Sequence, residues 1–510
     1  MKSKYALGLL TFLVLLHEHL WYIFLGFGYT LNDLHPFRQT QTALTAYYLK
    51  ASGFRLDYLT PVVGYPWSIP FEFPFYQWIA VGMHQLFALE LNVSGRLVSI
   101  AALYLVLVAV FLFLGSLSLS KLQRFVILSA ILLNPTLLFW SRTFMIESTA
   151  LLLSVLYLLA TFKVLTLYKA RGNISYPWLT MAWLIGSLAA LTKVTTFIVY
   201  LFCSGLFLLY TVYENRRNKK LSSHLREGFI YALCAYIVPV LLAFIWTRYT
   251  DQVKQLSYIG SKLTSASLQG WNFGSLTTKF SLDTWGVIDN NCCHYLGIAV
   301  GITLLSHLFS LRYRVMMLIF TLSGLSGPLL FTNLYKVHDY YSAANTLLFS
   351  LTIGLFALAI IELKGRKLIA IPAAVLIASI CWVSITSYFD RYFGVQSYNN
   401  DRMQLVGLEI KRLTGPDDVL LVIGKDWSSE IAYYSERKAV CIPDWMLAEL
   451  NGNVDAFLEK FKTSKVTAFA AVEHRAKLDS MNLKIVRHYG LSDSPYQLAG
   501  GYCYLFLKKQ

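Results

Sequence analysis

The sequence predicts a polytopic α-helical membrane protein with a C-terminal α/β domain outside the bilayer, and three observations predict it. First, apolar residues make up 56% of the 510 and charged residues only 14%, with a mean hydropathy of +0.52. A water-soluble chain of this length carries far more charge. Second, the formal charge of +16 is dispersed in short basic clusters between apolar runs. That is the arrangement of topology determinants, not of a nucleic-acid face, so nucleic acid is excluded as a partner. Third, from about Asp390 the pattern changes to short apolar strands alternating with helical periodicities.

The basic clusters set the topology. They are Lys2/Lys4, Lys121/Arg124, Lys169/Arg171, Arg216/Arg217/Lys219/Lys220, Arg312/Arg314 and Lys364/Arg366/Lys367. With all six on the cytoplasmic side, spans of roughly twenty residues fall near 5–27, 95–117, 124–141, 147–167, 177–193, 195–213, 228–247, 294–310, 315–333, 341–361 and 368–388. About eleven transmembrane helices result, with the N-terminus inside and the C-terminal segment outside. The first span is too long and too lightly capped for a cleaved signal peptide. Two spans meet at Lys193 with almost no connection.

Three long segments are thereby placed outside: 28–94, 248–293 and 389–510. In the first, Phe71-Glu72-Phe73-Pro74-Phe75-Tyr76-Gln77-Trp78-Ile79 leads into an apolar stretch ending near Leu91. Counting it as a span inverts every later basic cluster, so it reads as a helix in the interface, where Trp and Tyr are favoured. In the last, Val419–Ile423 and 467–472 read as strands and Val454–Phe461 as helix. Residues 1–390 therefore form the membrane module and 391–510 a soluble α/β domain. The seven cysteines show no metal-ligand spacing; Cys441 and Cys503 are either a disulfide or two buried thiols. No phosphate-binding loop or nucleotide fingerprint is present, so an activated substrate has to come from the membrane itself.

The richest stretch is Asn32-Asp33-Leu34-His35-Pro36-Phe37-Arg38-Gln39-Thr40-Gln41-Thr42, directly after the first span. A carboxylate, an imidazole and a guanidinium within six residues of a membrane boundary point to a site for a charged ligand. Four stretches in this order resemble a known family: 35–43, Phe71–Trp78, Leu188-Ala189-Ala190-Leu191-Thr192-Lys193, and His338-Asp339-Tyr340-Tyr341. Over roughly residues 1–390 the chain resembles the GT-C superfamily of polyprenyl-phosphate-sugar-dependent glycosyltransferases, in the bacterial branch related to protein O-mannosyltransferases and the lipid A aminoarabinose transferase. The resemblance implies a GT-C-like fold and a lipid-linked sugar donor. It also implies a bacterial inner (plasma) membrane location with the active site facing the periplasm or exterior, and a role in the cell envelope. The chain departs from the family in two places. Relatives open the first outer loop with an Asp-Glu pair where this chain offers Asp33 and His35, and the aminoarabinose group has Lys where Phe73 stands before Pro74.

The chemistry asks for two kinds of residue. A sugar on a polyprenyl phosphate carries a good leaving group and needs no general acid, unlike a simple glycoside. A base must take the proton of the acceptor hydroxyl, and fixed cations must hold the phosphate. Asp33 is the first choice as base, against helix capping as its bland role. His35 and Glu72 are the alternatives, Glu72 because of its apolar setting between two Phe. Asp57 lies in an ordinary loop. For the phosphate the candidates are Arg38, Arg142, Lys193, Lys336 and His338. Set against them are an Arg142–Glu147 pair, a Lys193 that snorkels to the interface, and Tyr340 and Tyr341 in an aromatic belt. Asp33, His35, His338 and Asp339 are the residues available to a divalent metal, although no spacing demands one. In the last segment Trp427, Glu430, Tyr433, Tyr434 and Trp445 form either a sugar-stacking set or a small core.

The reading is an integral-membrane glycosyltransferase, with a polyprenyl-phosphate sugar as donor and a glycan, lipid or protein hydroxyl as acceptor. Polysaccharide polymerase or ligase chemistry from a lipid diphosphate donor, and lipid or solute transport without chemistry, are the alternatives. A transporter places its ionisable residues near mid-membrane in repeated broken helices, whereas here they gather at outer span ends. The topology predicts that, in a background lacking native cysteines, a cysteine in 216–220 resists an impermeant thiol reagent in intact cells while one in 450–453 is labelled. Labelling at both places, or the reverse pattern, contradicts eleven spans.

Overall fold

The computed structural model describes residues 2–217, 225–363 and 367–509, in two compact units. Lys219, Lys220, Lys364 and Arg366 of the basic clusters lie outside the described residues. One unit comprises Met1–Phe27, Arg96–Trp246 and Gln269–Ser397; the other comprises Gly28–Gly95, Thr247–Leu268 and Tyr398–Gln510.

The first unit is helical. Helices occur at every expected span position, but six are long and apolar enough to cross a membrane, or up to seven if a bent pair counts as one span. The six are Leu91–Ser116, Glu147–Arg171, Val194–Glu214, Glu227–Lys254, Asp339–Glu362 and Ile371–Leu413. The bent pair, Leu282–Asn291 with Tyr295–Leu308, turns through 101°. The remaining positions fall short for local reasons. The expected span at 124–141 breaks into Lys121–Leu132 and Pro135–Trp140. There Asn134 caps the second piece by accepting from Leu137 N at 3.0 Å, and Pro135 takes the first helical position, where its missing N–H costs nothing. Tyr176–Thr192 and Arg314–Leu330 have 17 residues each, at the short end of what spans a bilayer.

Ser342–Glu362 lies at the centre of this unit, with 83% of its most apolar window buried. Its small residues allow the burial. A Cβ at Gly354 would lie 2.8 Å from the Cα of Ile127, so only glycine admits the neighbouring helix at that depth. Asn345 and Ser350 on the same helix spend their polar groups internally, Asn345 accepting from Tyr335 Oη at 2.7 Å and Ser350 accepting from Asn134 Nδ2 at 2.9 Å.

The second unit is built on a five-stranded sheet of order β2-β1-β3-β5-β4. The strands are β1 Val419–Ile423, β2 Lys438–Cys441, β3 Ala468–Val472, β4 Tyr496–Leu498 and β5 Cys503–Leu507. β1 is parallel to β2 and β3, while β5 runs antiparallel to β3 and to β4. The central strands β1 and β3 are buried at every residue, which is why they read as unbroken apolar runs. Residues 61–63 complete the β2 edge: Ala439 N donates to Pro61 O at 3.0 Å and Cys441 N to Val62 O at 2.8 Å. This pairing hides an edge that would otherwise be open. Residues 247–268 join the same core through Tyr258, which bonds Glu449 at 2.8 Å and packs against Phe457 and Phe461. The 391–510 segment thus shares its core with two earlier segments, and the expected outer segment 248–293 divides between the two units.

All seven cysteines are free thiols. Cys441 on β2 and Cys503 on β5 lie three strands apart, roughly 14 Å across a sheet, beyond the reach of a disulfide. Burial pushes the Cys503 thiol up to about 12 and the Cys441 thiol upward as well.

Candidate functional site

In the second unit the polar loop opens the helix Pro36–Ser52. Pro36 sets φ for the first turn, and His35 before it adopts the left-handed conformation, φ 50°. The His35 carbonyl accepts from Arg38 N at 3.0 Å and from Gln39 N at 3.2 Å. Asp33 does not cap this helix, because the N-cap position falls on His35. Instead Asp33 accepts from the side-chain amide of Gln39, which also donates to Leu34 O at 2.9 Å.

Arg38 points from the same helix toward the aromatic-Pro segment. Its guanidinium forms an ion pair with Glu72 and donates to Gln41 Oε1 at 2.6 Å. Tyr58 fixes the backbone there by donating to Glu72 O at 2.8 Å and accepting from Phe71 N at 3.0 Å. These groups line a narrow cleft of about 10 Å³, room for about one water, together with Thr42, Thr45, Thr60 and Gln77. Within it Gln41 Nε2 and Gln77 Oε1 are buried with no hydrogen-bond partner among the described residues. Buried amide atoms in that state are costly unless a ligand or water meets them.

Sequence reasoning missed Lys254. Its ammonium lies 4.3 Å from the Phe71 ring centroid and 3.6 Å from Asp251, and its charge acts on Glu72. Lys254 stands eight residues past the end of the apolar run at Trp246, behind Arg248 and Asp251, so its sequence surroundings do not single it out. Asp57 forms an ordinary partly exposed pair with Arg55 at 2.5 Å, which holds its carboxyl below the usual range.

The aromatic set of the last segment packs inward. Glu430 pairs with Lys425 at 3.5 Å, Tyr433 donates to Asn92 Oδ1 at 2.5 Å, and Tyr434 donates to Asn32 Oδ1 at 3.3 Å. Trp427 packs on Phe37 with ring centroids 4.8 Å apart. Trp445 is exposed.

The helical unit gathers a second group. Lys193 ends the helix Tyr176–Thr192 and is 5% exposed. It neither snorkels nor leaves Glu147 to Arg142. It forms a buried ion pair with Glu147, and its ammonium lies 4.2 Å from the Tyr341 ring centroid and 5.3 Å from that of Tyr340. Those two tyrosines therefore cover a cation instead of forming a belt. Asp339 is paired with Arg391 at 2.9 Å, a partner the sequence did not single out. His338 stacks on Tyr340 at 5.2 Å. Arg142 is spent on backbone: it donates to Leu25 O at 3.0 Å and Gly26 O at 3.1 Å, while Arg96 holds Phe27 O at 2.7 Å. The two guanidiniums close off the turn that ends the first helix. Lys336 is exposed.

Among the described residues no three His, Cys, Asp or Glu side chains converge on a common point. Of the residues offered for a metal, Asp33 is held by Gln39 and Asp339 by Arg391.

The Lys193–Glu147 pair generates a prediction. Removing one partner leaves a buried charge uncompensated, at a cost of about 3–5 kcal/mol. Lys193→Met should lower the Tm of the purified protein accordingly, and adding Glu147→Leu should restore most of it. An unchanged Tm in Lys193→Met contradicts a structural pair.

No protein-family model and no curated protein matches the chain. Solved structures do. ArnT from Cupriavidus metallidurans bound to undecaprenyl phosphate is similar with a TM-score of 0.61 at 13% identity, over 97% of each chain. The Archaeoglobus fulgidus oligosaccharyltransferase in its apo form gives 0.57 at 12% identity, over 91% of this chain and 69% of that one. Arabinofuranosyltransferase AftD from Mycobacteria gives 0.54 at 11% identity, over 98% of this chain and 40% of that one. At such identities the likeness is one of fold.

Proposed function

We propose that the chain is an integral-membrane glycosyltransferase that moves a sugar from a polyprenyl-phosphate donor to an acceptor hydroxyl on the outer face of a bacterial inner membrane, its eleven helices forming the membrane module. The observation that carries this reading is the fold shared, end to end, with a structure bound to undecaprenyl phosphate, in a chain whose polar first loop builds a cleft around Arg38 and Glu72. The acceptor is a glycan, lipid or protein hydroxyl.

The reaction runs on residues of the second unit. The acceptor oxygen bonds to the anomeric carbon while the carbon–oxygen bond to phosphate breaks, its electron pair leaving with the phosphate as a stable monoester. Asp33 takes the acceptor proton, with His35 two residues away as the alternative. The Asp33 carboxylate accepts from the side-chain amide of Gln39. Arg38 meets the phosphate, and Glu72 orients the guanidinium from the far side. Lys254 adds a second positive charge on the same side. Gln41 and Gln77 offer a donor and an acceptor to the sugar or phosphate.

A purified assay with a polyprenyl-phosphate sugar tests this. Asp33→Asn should lower kcat by about a hundred to ten-thousand-fold with donor binding intact. Arg38→Ala should weaken donor binding, and Glu72→Gln should raise the donor KM more than it lowers kcat. If Asp33→Asn stays active and Glu72→Gln is dead, Glu72 is the base. Full activity in all three variants contradicts the site.

A further inference from the structure

A second cavity lies within the helical unit, at the opposite end of helix Glu147–Arg171 from the Glu147–Lys193 pair. Glu147 and Lys169 are 22 residues apart on that helix, about 33 Å along its axis. The cavity measures 670 Å³ and opens to the surface. Its floor is apolar: Phe162, Phe207 and Ile319 line it. Phe162 and Phe207 pack against each other at 5.0 Å and against Phe113 at 5.2 and 5.9 Å, which makes the floor rigid. Lys169, Arg314 and Tyr210 line it as well.

The charges are what identify the occupant. No carboxylate lines the cavity, and among the described residues neither Lys169 nor Arg314 is ion-paired. Two other cations at this end are bonded elsewhere, Arg312 to Glu362 at 2.8 Å and Arg124 to Leu119 O at 2.8 Å. Arg314 is also the first residue of the 17-residue helix Arg314–Leu330, where a cation opposes the helix dipole instead of benefiting from it. A helix N-terminus and two unpaired cations together attract an anion. An aromatic cavity beneath them, at the end of membrane helices, accepts an acyl chain. Basic pockets between helices at a membrane boundary take anionic headgroups in this way.

We propose that this cavity binds an anionic glycerophospholipid, its phosphate on Lys169 and Arg314 and one acyl chain along Phe162 and Phe207. Among the described residues no carboxylate or imidazole lines the cavity, and the role proposed for it is retention of the lipid. It stands independently of the proposed enzymatic function.

The test is lipid retention by the full-length purified protein, read by native mass spectrometry after exchange into defined micelles. The probes are phosphatidylglycerol and phosphatidylcholine of matched chains, undecaprenyl phosphate and inorganic phosphate. The wild type should retain phosphatidylglycerol at least tenfold more than phosphatidylcholine. Lys169→Gln/Arg314→Gln should abolish that preference, and Leu165→Trp should reduce retention by filling the cavity with both cations in place. Equal retention of the two lipids by the wild type overturns the proposal. So does displacement of phosphatidylglycerol by inorganic phosphate, which marks a free-anion site, or preferential capture of undecaprenyl phosphate dependent on the same two cations. Should the double variant fail to fold, the wild-type preference and the Leu165→Trp variant decide the matter.

Discussion

A buried cation has to be met by an acceptor inside the protein, because an unpaired charge removed from water costs several kcal/mol. That constraint organises both units. In the helical unit Arg96 and Arg142 are met by the carbonyls that end the first helix, Lys193 by Glu147, and Arg391 by Asp339. In the second unit Arg38 is met by Glu72, and Arg437 by the carbonyls of Lys411 and Thr414. Each pairing joins elements distant in sequence, so the ion pairs act as registration points between helices that apolar packing alone would let slide.

The same constraint separates structural cations from those suited to a ligand. Arg142 and Lys193 are enclosed, in contact with carbonyls, a carboxylate and tyrosine faces. Arg38 is different because it borders a cleft that also holds two buried amide atoms without partners. Glu72 holds that guanidinium in a fixed orientation, and a preoriented donor costs no reorganisation when phosphate charge develops. The arrangement also bears on Phe73, which stands where the resemblance leads one to expect a lysine. With no lysine before Pro74, a positive charge reaches the Phe71–Glu72 segment from Lys254, which comes from a distant part of the chain.

Much of the fold was legible in the sequence. Hydropathy and basic clusters place a helix at every expected span position, and the composition shift near Asp390 marks the sheet. What hydropathy could not convey was span integrity: Asn134-Pro135 is a strong local break within an apolar run. Non-local pairing was also invisible. Nothing in 60–63 announces that it borders β2, and nothing near Glu147 announces Lys193, 46 positions on. For the candidate site, Arg38 stood out as a charge in the polar first loop and Glu72 as a carboxylate between two Phe, and the structure joins them directly. Gln41 and Gln77 did not stand out, since an amide reveals itself only when burial leaves it unpaired.

The reaction proposed for this protein is sugar transfer from a lipid-linked donor. Mass spectrometry of envelope glycans and glycolipids, compared between cells with and without this protein, tests it most directly. The account predicts that one glycan or glycolipid species loses a single sugar residue in cells lacking the protein, while the matching polyprenyl-phosphate sugar accumulates. Identical glycan and lipid-linked sugar profiles in the two strains would contradict it.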